Sequence, residues 1–150
     1  MDPASEWLRE AVTLGASSPQ HVLFLCVANS ARSQMAEGIA RSLAGPDVRV
    51  SSAGSHPTVL RPEAVRVLRE IDIDIAHQRS KGVDEVDRPV DAVITLCAEE
   101  VCPVWLEPSA RVHWGLPDPA AVMGSRELRL DAFRAVRDEL MTRLRVVFGG

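Results

Sequence analysis

The chain has 150 residues, with 46% hydrophobic and 25% charged side chains, which is typical of one soluble globular domain with its own core. A net charge of -4 argues against a nucleic-acid partner, and no apolar run approaches the length of a membrane span. The N-terminus shows no signal region, so we expect a cytoplasmic protein whose three cysteines serve chemistry rather than structure.

The first segment, residues 1–20, predicts a short helix followed by a linker. Trp7, Ala11 and Leu14 recur at helical spacing, and the run GASSP that follows contains residues that end helices. The apolar face of this helix suits either packing on the outside of the domain or a contact with a second copy of the chain. We therefore treat residues 1–20 as an N-terminal extension of a domain that spans residues 21–150.

The remainder of the chain predicts alternating strands and helices. Apolar runs indicate the strands, and the helices show an apolar face at helical spacing. Strands are expected at residues 22–27, 48–52, 90–96 and 111–114, and helices at residues 33–43, from Pro62 onward and at residues 127–147. This alternation predicts an α/β fold in which an open four-stranded parallel sheet carries helices on both faces.

A nucleophile and a fixed positive charge flank the turn that joins the first strand to its helix. Cys26 ends the strand, and the spacing Cys-x5-Arg places Arg32 and Ser33 at the helix N-terminus. Backbone N–H groups of such a turn bind an oxyanion, and the positive end of the helix dipole favours a thiolate. The expected oxyanion-binding residues are those of the turn and the arginine: Val27, Ala28, Asn29, Ser30, Ala31 and Arg32.

These residue types match the chemistry of a nucleophilic cysteine. The planar guanidinium of Arg32 fits two oxygens of a tetrahedral dianion, and the Ser33 hydroxyl can donate a hydrogen bond. Asn29 suits a left-handed backbone kink. Cys26, Arg32 and Ser33 are therefore candidate catalytic residues. The alternative is an inert buried cysteine whose spacing to an arginine is accidental.

Residues suited to catalysis or ligand binding lie at the ends of all four predicted strands. Cys26 ends the first strand, the small residues 52–55 follow the second, Cys97 ends the third, and Asp118 lies just past the fourth. Ligands of parallel sheets bind at the carboxyl ends of the strands. We therefore expect these four positions to converge on one edge of the sheet, although they are far apart in sequence.

Four motifs together resemble the arsenate reductases that are built on the low-molecular-weight protein tyrosine phosphatase fold. They are CVANSARSQMAEG from Cys26, SAG from Ser52, TLC ending at Cys97 with CP from Cys102, and HWGLPDPA from His113. The resemblance runs over residues 21–148. The Cys-x5-Arg-Ser motif alone would indicate the broader phosphatase-like group, and the two further cysteines point to a reductase.

The resemblance implies a relay of three cysteines. Cys26 attacks arsenate, Asp118 protonates the departing oxygen as a general acid, and Cys97 then attacks Cys26 and releases arsenite. Cys102 next attacks Cys97, which moves the disulfide outward to a place where thioredoxin reduces it. Glutaredoxin or a small thiol is an alternative electron donor. No cofactor and no resident metal are expected.

The interval between the last two cysteines departs from the family. Cys97 and Cys102 have four residues between them, fewer than many relatives have. Residues at this separation in a regular helix are too far apart for a disulfide. The segment must therefore form a turn or unwind on oxidation, and we expect residues 98–101 to rearrange between redox states.

A second departure concerns a cation. Some relatives bind potassium beside the anion-binding turn, through residues matching Asn29, Glu37 and Ser52 and an acidic side chain after the second helix. Lys81, the only lysine of this chain, stands at the acidic position. Its ammonium group can take the place of the cation and pair with Glu37, which predicts activity independent of potassium. A solvated lysine with no such role is the alternative.

Two other functions compete with arsenate reduction. A low-molecular-weight protein tyrosine phosphatase would use Cys26, Arg32 and Asp118 to hydrolyse phosphotyrosine, but it leaves the other two cysteines without a function. Such phosphatases also tend to carry an aromatic residue after the Asp-Pro pair, where this chain has Ala120. A non-catalytic oxyanion-binding or redox-sensor domain is the third possibility, and the complete set of nucleophile, arginine and acid argues against it.

Overall fold

A computed structural model describes residues 3–98 and 101–149. This part of the chain contains four α-helices and four β-strands. The helices are α1 (Pro3–Ala16), α2 (Arg32–Ala44), α3 (Pro62–Arg69) and α4 (Arg126–Phe148), and the strands are β1 (His21–Cys26), β2 (Arg49–Gly54), β3 (Ala92–Thr95) and β4 (Ala110–His113). Each element expected from the sequence is present, with ends that differ by a few residues. None of the described helices is both long and apolar enough to cross a membrane.

The four strands run parallel in one sheet, in the order β2-β1-β3-β4. The register pairs Cys26 with Gly54 and Leu25 with Thr95, and Thr95 in turn pairs with His113. The last residues of the strands therefore lie side by side at one edge of the sheet. This alignment confirms the predicted convergence of the strand ends, and it decides where the functional residues meet.

Alternation of side chains along β1 divides the core into two clusters on opposite faces of the sheet. Val22 and Phe24 join a large cluster that includes buried residues from all four α-helices, whereas the alternate residues of β1 join a smaller one. Trp105 and a segment that includes a single 3₁₀ turn, Val83–Glu85, cover the smaller cluster. All four α-helices therefore pack on one face of the sheet, and the only helical structure that the described residues place on the other face is this 3₁₀ turn. The α/β class with a four-stranded parallel sheet is confirmed.

Helix α1 packs along α4 as part of the main core. Its residues Ala11 and Leu14 are buried there, on the face that the sequence predicts to be apolar. The guanidinium of Arg143 on α4 lies over the rings of Trp7 and Trp114, at 5.2 and 5.5 Å from the ring centroids. The apolar face of α1 is therefore used for packing within the chain.

A cluster of ion pairs joins the end of α3 to α4. Arg134 and Arg137 each hold a carboxylate oxygen of Glu70 at 2.8 Å. The hydrogen bond from Arg134, followed by the one from Arg137, lowers the pKa of Glu70 to about 2. Arg137 also donates to the Val67 carbonyl at 2.8 Å, so the cluster ties the backbone of α3 to side chains of α4.

We expect Glu70→Gln to lower the free energy of unfolding at neutral pH by about 1 kcal/mol, a value limited by solvent screening of the partly exposed carboxylate. Because the folded-state pKa is depressed from 4.5 to about 2, this stabilisation is present above about pH 4.5 and is lost as the pH falls toward 2. Urea unfolding at neutral pH and in acid should show a difference between the two proteins that shrinks in acid.

The matched control for this prediction is Glu127→Gln. Glu127 lies at the exposed margin of the same cluster, 3.4 Å from Arg134, and its side chain is 71% exposed. Its loss should change stability less than the loss of Glu70. Equal effects of the two variants, or a difference for Glu70→Gln that grows in acid, would contradict the role assigned to Glu70.

Candidate active site

The turn after β1, residues 27–31, is here called the anion loop, and hydrogen bonds hold its outer side. Its carbonyl groups accept from a segment outside the loop: Val27 O from His56 N at 2.9 Å, Ala28 O from Thr58 N at 3.1 Å, and Ser30 O from Arg61 N at 2.9 Å. In a planar trans peptide the C=O and the next N–H point in opposite directions, so the following N–H groups face inward. This arrangement fits the oxyanion cradle that the sequence predicts.

Asn29 sets the shape of the anion loop. Its φ of +49° lies in the left-handed region, as the sequence predicts, and its backbone N–H donates to the Cys26 sulfur at 3.3 Å. Its side-chain Nδ2 donates to Ser33 Oγ at 2.8 Å, and its Oδ1 accepts from the Lys81 backbone N–H at 2.9 Å. One asparagine therefore links the nucleophile, helix α2 and the segment after α3.

Ser33 is the immediate hydrogen-bond partner of the Cys26 sulfur. The two side chains are buried, and their Oγ and Sγ atoms lie 2.8 Å apart. Because Oγ already accepts from Asn29 Nδ2, its own proton is available to the sulfur. A donated hydrogen bond favours the thiolate, which is the nucleophilic form of cysteine.

The end of β2 passes directly against the anion loop. A Cβ atom at Gly54 would lie 2.9 Å from Asn29 N and closer still to Val27 O, so a side chain at this position would force the backbone apart. The sequence predicts such a close approach from the small residues that end and follow this strand. The glycine therefore has a steric function at the site.

Three polar residues that the sequence analysis does not single out support the anion loop. Gln34 is fully buried, and its Nε2 donates to Asn29 O and Oδ1 at 3.0 and 3.1 Å. Gln78 Nε2 donates to Gln34 Oε1 at 2.8 Å, and Ser80 Oγ donates to Ala28 O at 2.9 Å. The position of Gln34 in the first turn of α2 was the available signal, whereas Gln78 and Ser80 belong to a remote segment without a recognisable pattern.

Arg32 connects the ends of β3 and β4 to the anion loop. Its Nη1 donates to the Leu96 carbonyl at 3.3 Å and to the Leu116 carbonyl at 2.9 Å. Leu96 immediately precedes Cys97, and Leu116 lies two residues before Asp118. The guanidinium thus ties the segments that carry the second cysteine and the candidate acid to the loop that holds Cys26.

Asp118 is half-buried and begins a short 3₁₀ helix, Pro119–Ala121. Its Oδ1 accepts from the Ala120 backbone N–H at 3.0 Å, so the carboxylate caps this helix. The backbone of Asp118 is extended, as expected for a residue that precedes proline. Its carboxyl group is thereby fixed in the segment that follows the Arg32 contact.

Cys97 and Cys102 form a disulfide with their Cα atoms 5.6 Å apart, while Cys26 is a free thiol. Cys97 is 1% exposed and Cys102 is half-buried. The described residues of this segment, 97, 98, 101 and 102, lie outside any helix, as expected for a disulfide at this separation. Residues 99 and 100 lie outside the described part of the chain, and the rearrangement on reduction stays a prediction.

The ammonium group of Lys81 lies beside the buried carboxylate of Glu37. The distance from Nζ to Oε1 is 3.6 Å, and the two side chains are 18% and 5% exposed. Glu37 Oε1 also accepts from Ser52 Oγ at 2.6 Å, and Oε2 accepts from Arg41 at 2.8 Å. Two cations and a hydroxyl therefore compensate the buried charge of Glu37.

In residues 3–98 and 101–149 no group of three or more His, Cys, Asp or Glu side chains is arranged to hold a metal ion.

Proteins of known type are similar to this chain in sequence. The family model described as low molecular weight phosphotyrosine protein phosphatase matches residues 21–148. An arsenate reductase of Bacillus subtilis (strain 168) is 42% identical over 127 residues, which are 83% of this chain and 91% of that protein.

Two solved structures are similar in fold and sequence. An arsenate reductase in the phosphate-binding state is 32% identical with a TM-score of 0.73, and the match covers 87% of this chain and 97% of that one. A thioredoxin-dependent arsenate reductase of Corynebacterium glutamicum is 28% identical with a TM-score of 0.60, over 95% of this chain and 71% of that one.

We expect Ser33→Ala to slow the alkylation of Cys26 by iodoacetamide at neutral pH about tenfold, because the thiolate loses one donated hydrogen bond. The measurement uses a Cys97→Ser, Cys102→Ser background, in which Cys26 is the only thiol. Ser42→Ala is the matched control, since the Ser42 hydroxyl lies on the same helix and donates to Ile39 O at 2.7 Å. An unchanged alkylation rate in Ser33→Ala would show that Ser33 does not activate the thiol.

Proposed function

Since this chain belongs to the low molecular weight phosphotyrosine protein phosphatase family, we propose that it uses the nucleophilic cysteine of that family to reduce arsenate to arsenite. The observation that carries the proposal is that the chain has both a free, buried thiol, Cys26, and a disulfide between Cys97 and Cys102. Hydrolysis of a phosphate ester needs one cysteine, whereas reduction needs a source of two electrons. The Cys97–Cys102 dithiol is such a source.

In the first step the Cys26 thiolate attacks the arsenic atom of arsenate. The amides of the anion loop and the Arg32 guanidinium hold the remaining oxygens. A sulfur–arsenic bond forms, and one arsenic–oxygen bond breaks. Asp118 donates the proton that lets this oxygen leave as water. Arsenic remains pentavalent in the adduct, so this step requires no electron donor.

In the second step the Cys97 thiolate attacks the sulfur of Cys26. A Cys26–Cys97 disulfide forms, the sulfur–arsenic bond breaks, and its electron pair stays on arsenic, which leaves as trivalent arsenite. Cys102 then attacks Cys97, restores the free Cys26 thiol and produces the Cys97–Cys102 disulfide. The described disulfide corresponds to the last intermediate of this sequence.

The electron donor and the location of the protein belong to the same proposal. The C. glutamicum relative is thioredoxin-dependent, and a disulfide that ends on a half-buried cysteine suits a donor that approaches from solvent. We therefore assign thioredoxin as the donor and the cytoplasm as the compartment, because a thiol relay needs a reducing environment. Glutaredoxin and small thiols are tested as alternatives.

Catalysis is assigned to residues 21–150 and an accessory packing role to residues 1–20.

The relay predicts a different result for each cysteine variant in an assay of arsenite production with thioredoxin, thioredoxin reductase and NADPH. Cys26→Ser and Cys97→Ser should release no arsenite. Cys102→Ser should release a single equivalent per chain and then stop, because the Cys26–Cys97 disulfide cannot be passed on. The single equivalent is the internal control, since it shows that this variant is folded and competent for the first two steps.

Two other results would replace the proposal. If the unaltered chain produced no arsenite, and Cys97→Ser and Cys102→Ser hydrolysed a phosphate ester through Cys26 as fast as the unaltered chain, the protein would be a phosphatase. If arsenate bound to the fully reduced chain without any release of arsenite, the protein would be an oxyanion-binding domain.

Lys81 leads to a prediction about potassium. Because its ammonium group already lies beside Glu37, we expect the same turnover in potassium and in sodium salts at equal ionic strength. Lys81→Asp should lower turnover about tenfold in sodium, since two carboxylates then face each other, and potassium should restore part of the loss. Strong activation of the unaltered chain by potassium over sodium would contradict this role of Lys81.

A further inference from the structure

Four polar side chains form a continuous chain of hydrogen bonds that ends on the nucleophilic sulfur. Gln78 Nε2 donates to Gln34 Oε1 at 2.8 Å, and Gln34 Nε2 donates to Asn29 Oδ1 at 3.1 Å. Asn29 Nδ2 donates to Ser33 Oγ at 2.8 Å, and Ser33 Oγ lies 2.8 Å from Cys26 Sγ. We call the side-chain amides of Gln78, Gln34 and Asn29 the amide relay. It leads from a half-buried segment to the buried thiol.

Backbone groups fix the direction of the amide relay, because a carbonyl oxygen can only accept a hydrogen bond and a backbone N–H can only donate one. Gln34 Nε2 faces the carbonyl oxygens of Asn29 and Arg79, each at 3.0 Å, so this end of the amide must be the donor. Asn29 Oδ1 faces the Lys81 backbone N–H at 2.9 Å, so this end of its amide must be the acceptor. Neither amide can be reversed without placing two acceptors or two donors against each other.

The amide of Gln78 is oriented in the same way. Its Nε2 also donates to the Gln34 carbonyl oxygen at 3.1 Å, which identifies this end as the nitrogen. All three amides therefore donate in the direction of the sulfur, and hydrogen bonds that point the same way polarise one another. Ser33 Oγ receives the last amide proton, and its own proton is directed to Cys26 Sγ.

Burial makes the orientation of the Asn29 amide depend on its protein partners. Asn29, Ser33 and Gln34 are each 0% exposed, so solvent does not supply a replacement for a lost donor. If the Asn29 amide were reversed, its oxygen would face Ser33 Oγ. The Ser33 proton would then go to that oxygen, and the sulfur would lose a hydrogen bond that favours the thiolate.

We propose that Gln34 is a positioning residue that sets the reactivity of the Cys26 thiol. Together with the Lys81 backbone N–H, it holds the Asn29 amide in the orientation that directs the Ser33 proton to the sulfur. This inference rests on the proposed function in one respect, namely that Cys26 is the nucleophile. It differs from simple support of the anion loop, because the effect of Gln34 on the thiol must pass through the Ser33 hydroxyl.

A double-mutant cycle tests this path through the alkylation of Cys26 by iodoacetamide, in the Cys97→Ser, Cys102→Ser background. Gln34→Met keeps the length of the side chain and removes its amide, and we expect it to slow alkylation at neutral pH about fivefold. In Ser33→Ala the same change should slow alkylation less than about twofold, since the relay is already interrupted there. At about pH 10, where the thiol is ionised in every variant, the rates should converge.

Two other glutamines complete the experiment. Gln20→Met is the matched control, because the Gln20 side chain is exposed and lies outside the relay, and its alkylation rate should equal that of the parent chain. Gln78→Met interrupts the relay at its half-buried end, so it decides the question if the Gln34 variant does not fold. We expect it to slow alkylation about twofold, and this effect should again disappear in Ser33→Ala.

The possible results separate this inference from the function beneath it. Equal slowing by Gln34→Met with and without the Ser33 hydroxyl would overturn the inference, since the glutamine would then act only on the shape of the loop. Unchanged rates in both glutamine variants would overturn it as well. Alkylation requires neither arsenate nor an electron donor. A chain that shows the expected coupling but releases no arsenite would therefore overturn the proposed function and leave the role of Gln34 intact.

Discussion

The outward direction of the carbonyl groups in the anion loop is the constraint on which the site depends. These groups are held by backbone N–H donors from the segment after β2, so the loop amides are left to face the Cys26 sulfur. The left-handed backbone of Asn29 and the absence of a side chain at Gly54 make this geometry sterically possible. Under the proposed function this geometry matters because carbonyl oxygens turned toward the anion would repel it.

The remainder of the site organises access to the three sulfurs. Cys26 and Cys97 are both buried, while Cys102 reaches the surface. In the proposed relay, this burial separates the anion chemistry at Cys26 from solvent and leaves the outermost cysteine as the sulfur that the electron donor reaches. Arg32 supports this order because its hydrogen bonds reach the residues just before Cys97 and near Asp118. The guanidinium thus ties the strand ends together, and under the proposed function it also supplies a charge for the anion.

Buried charge near the anion loop is compensated by side chains of this chain. Glu37 is 5% exposed and would destabilise the fold if it stood alone, but Lys81, Arg41 and Ser52 all contact its carboxylate. Lys81 also donates its backbone N–H to Asn29, so the same residue supports the loop and the charge balance. Helix α1 extends the core along α4 beyond the part that the family model matches.

The amino-acid sequence by itself determined the parallel α/β architecture and the Cys-x5-Arg loop. It also determined that the segments carrying Cys97 and Asp118 meet this loop at the carboxyl-end edge of the sheet. These follow from local patterns, since apolar runs, turn residues and the strand-end rule need no knowledge of distant contacts. Only the tertiary structure decided that α1 packs on α4, that Gln34, Gln78 and Ser80 hold the loop, and that Trp105 turns Val104 and Leu106 to solvent. These features join residues that are far apart in the chain. Packing and hydrogen-bond geometry determine which of these residues meet, and neither produces a periodic pattern in the sequence.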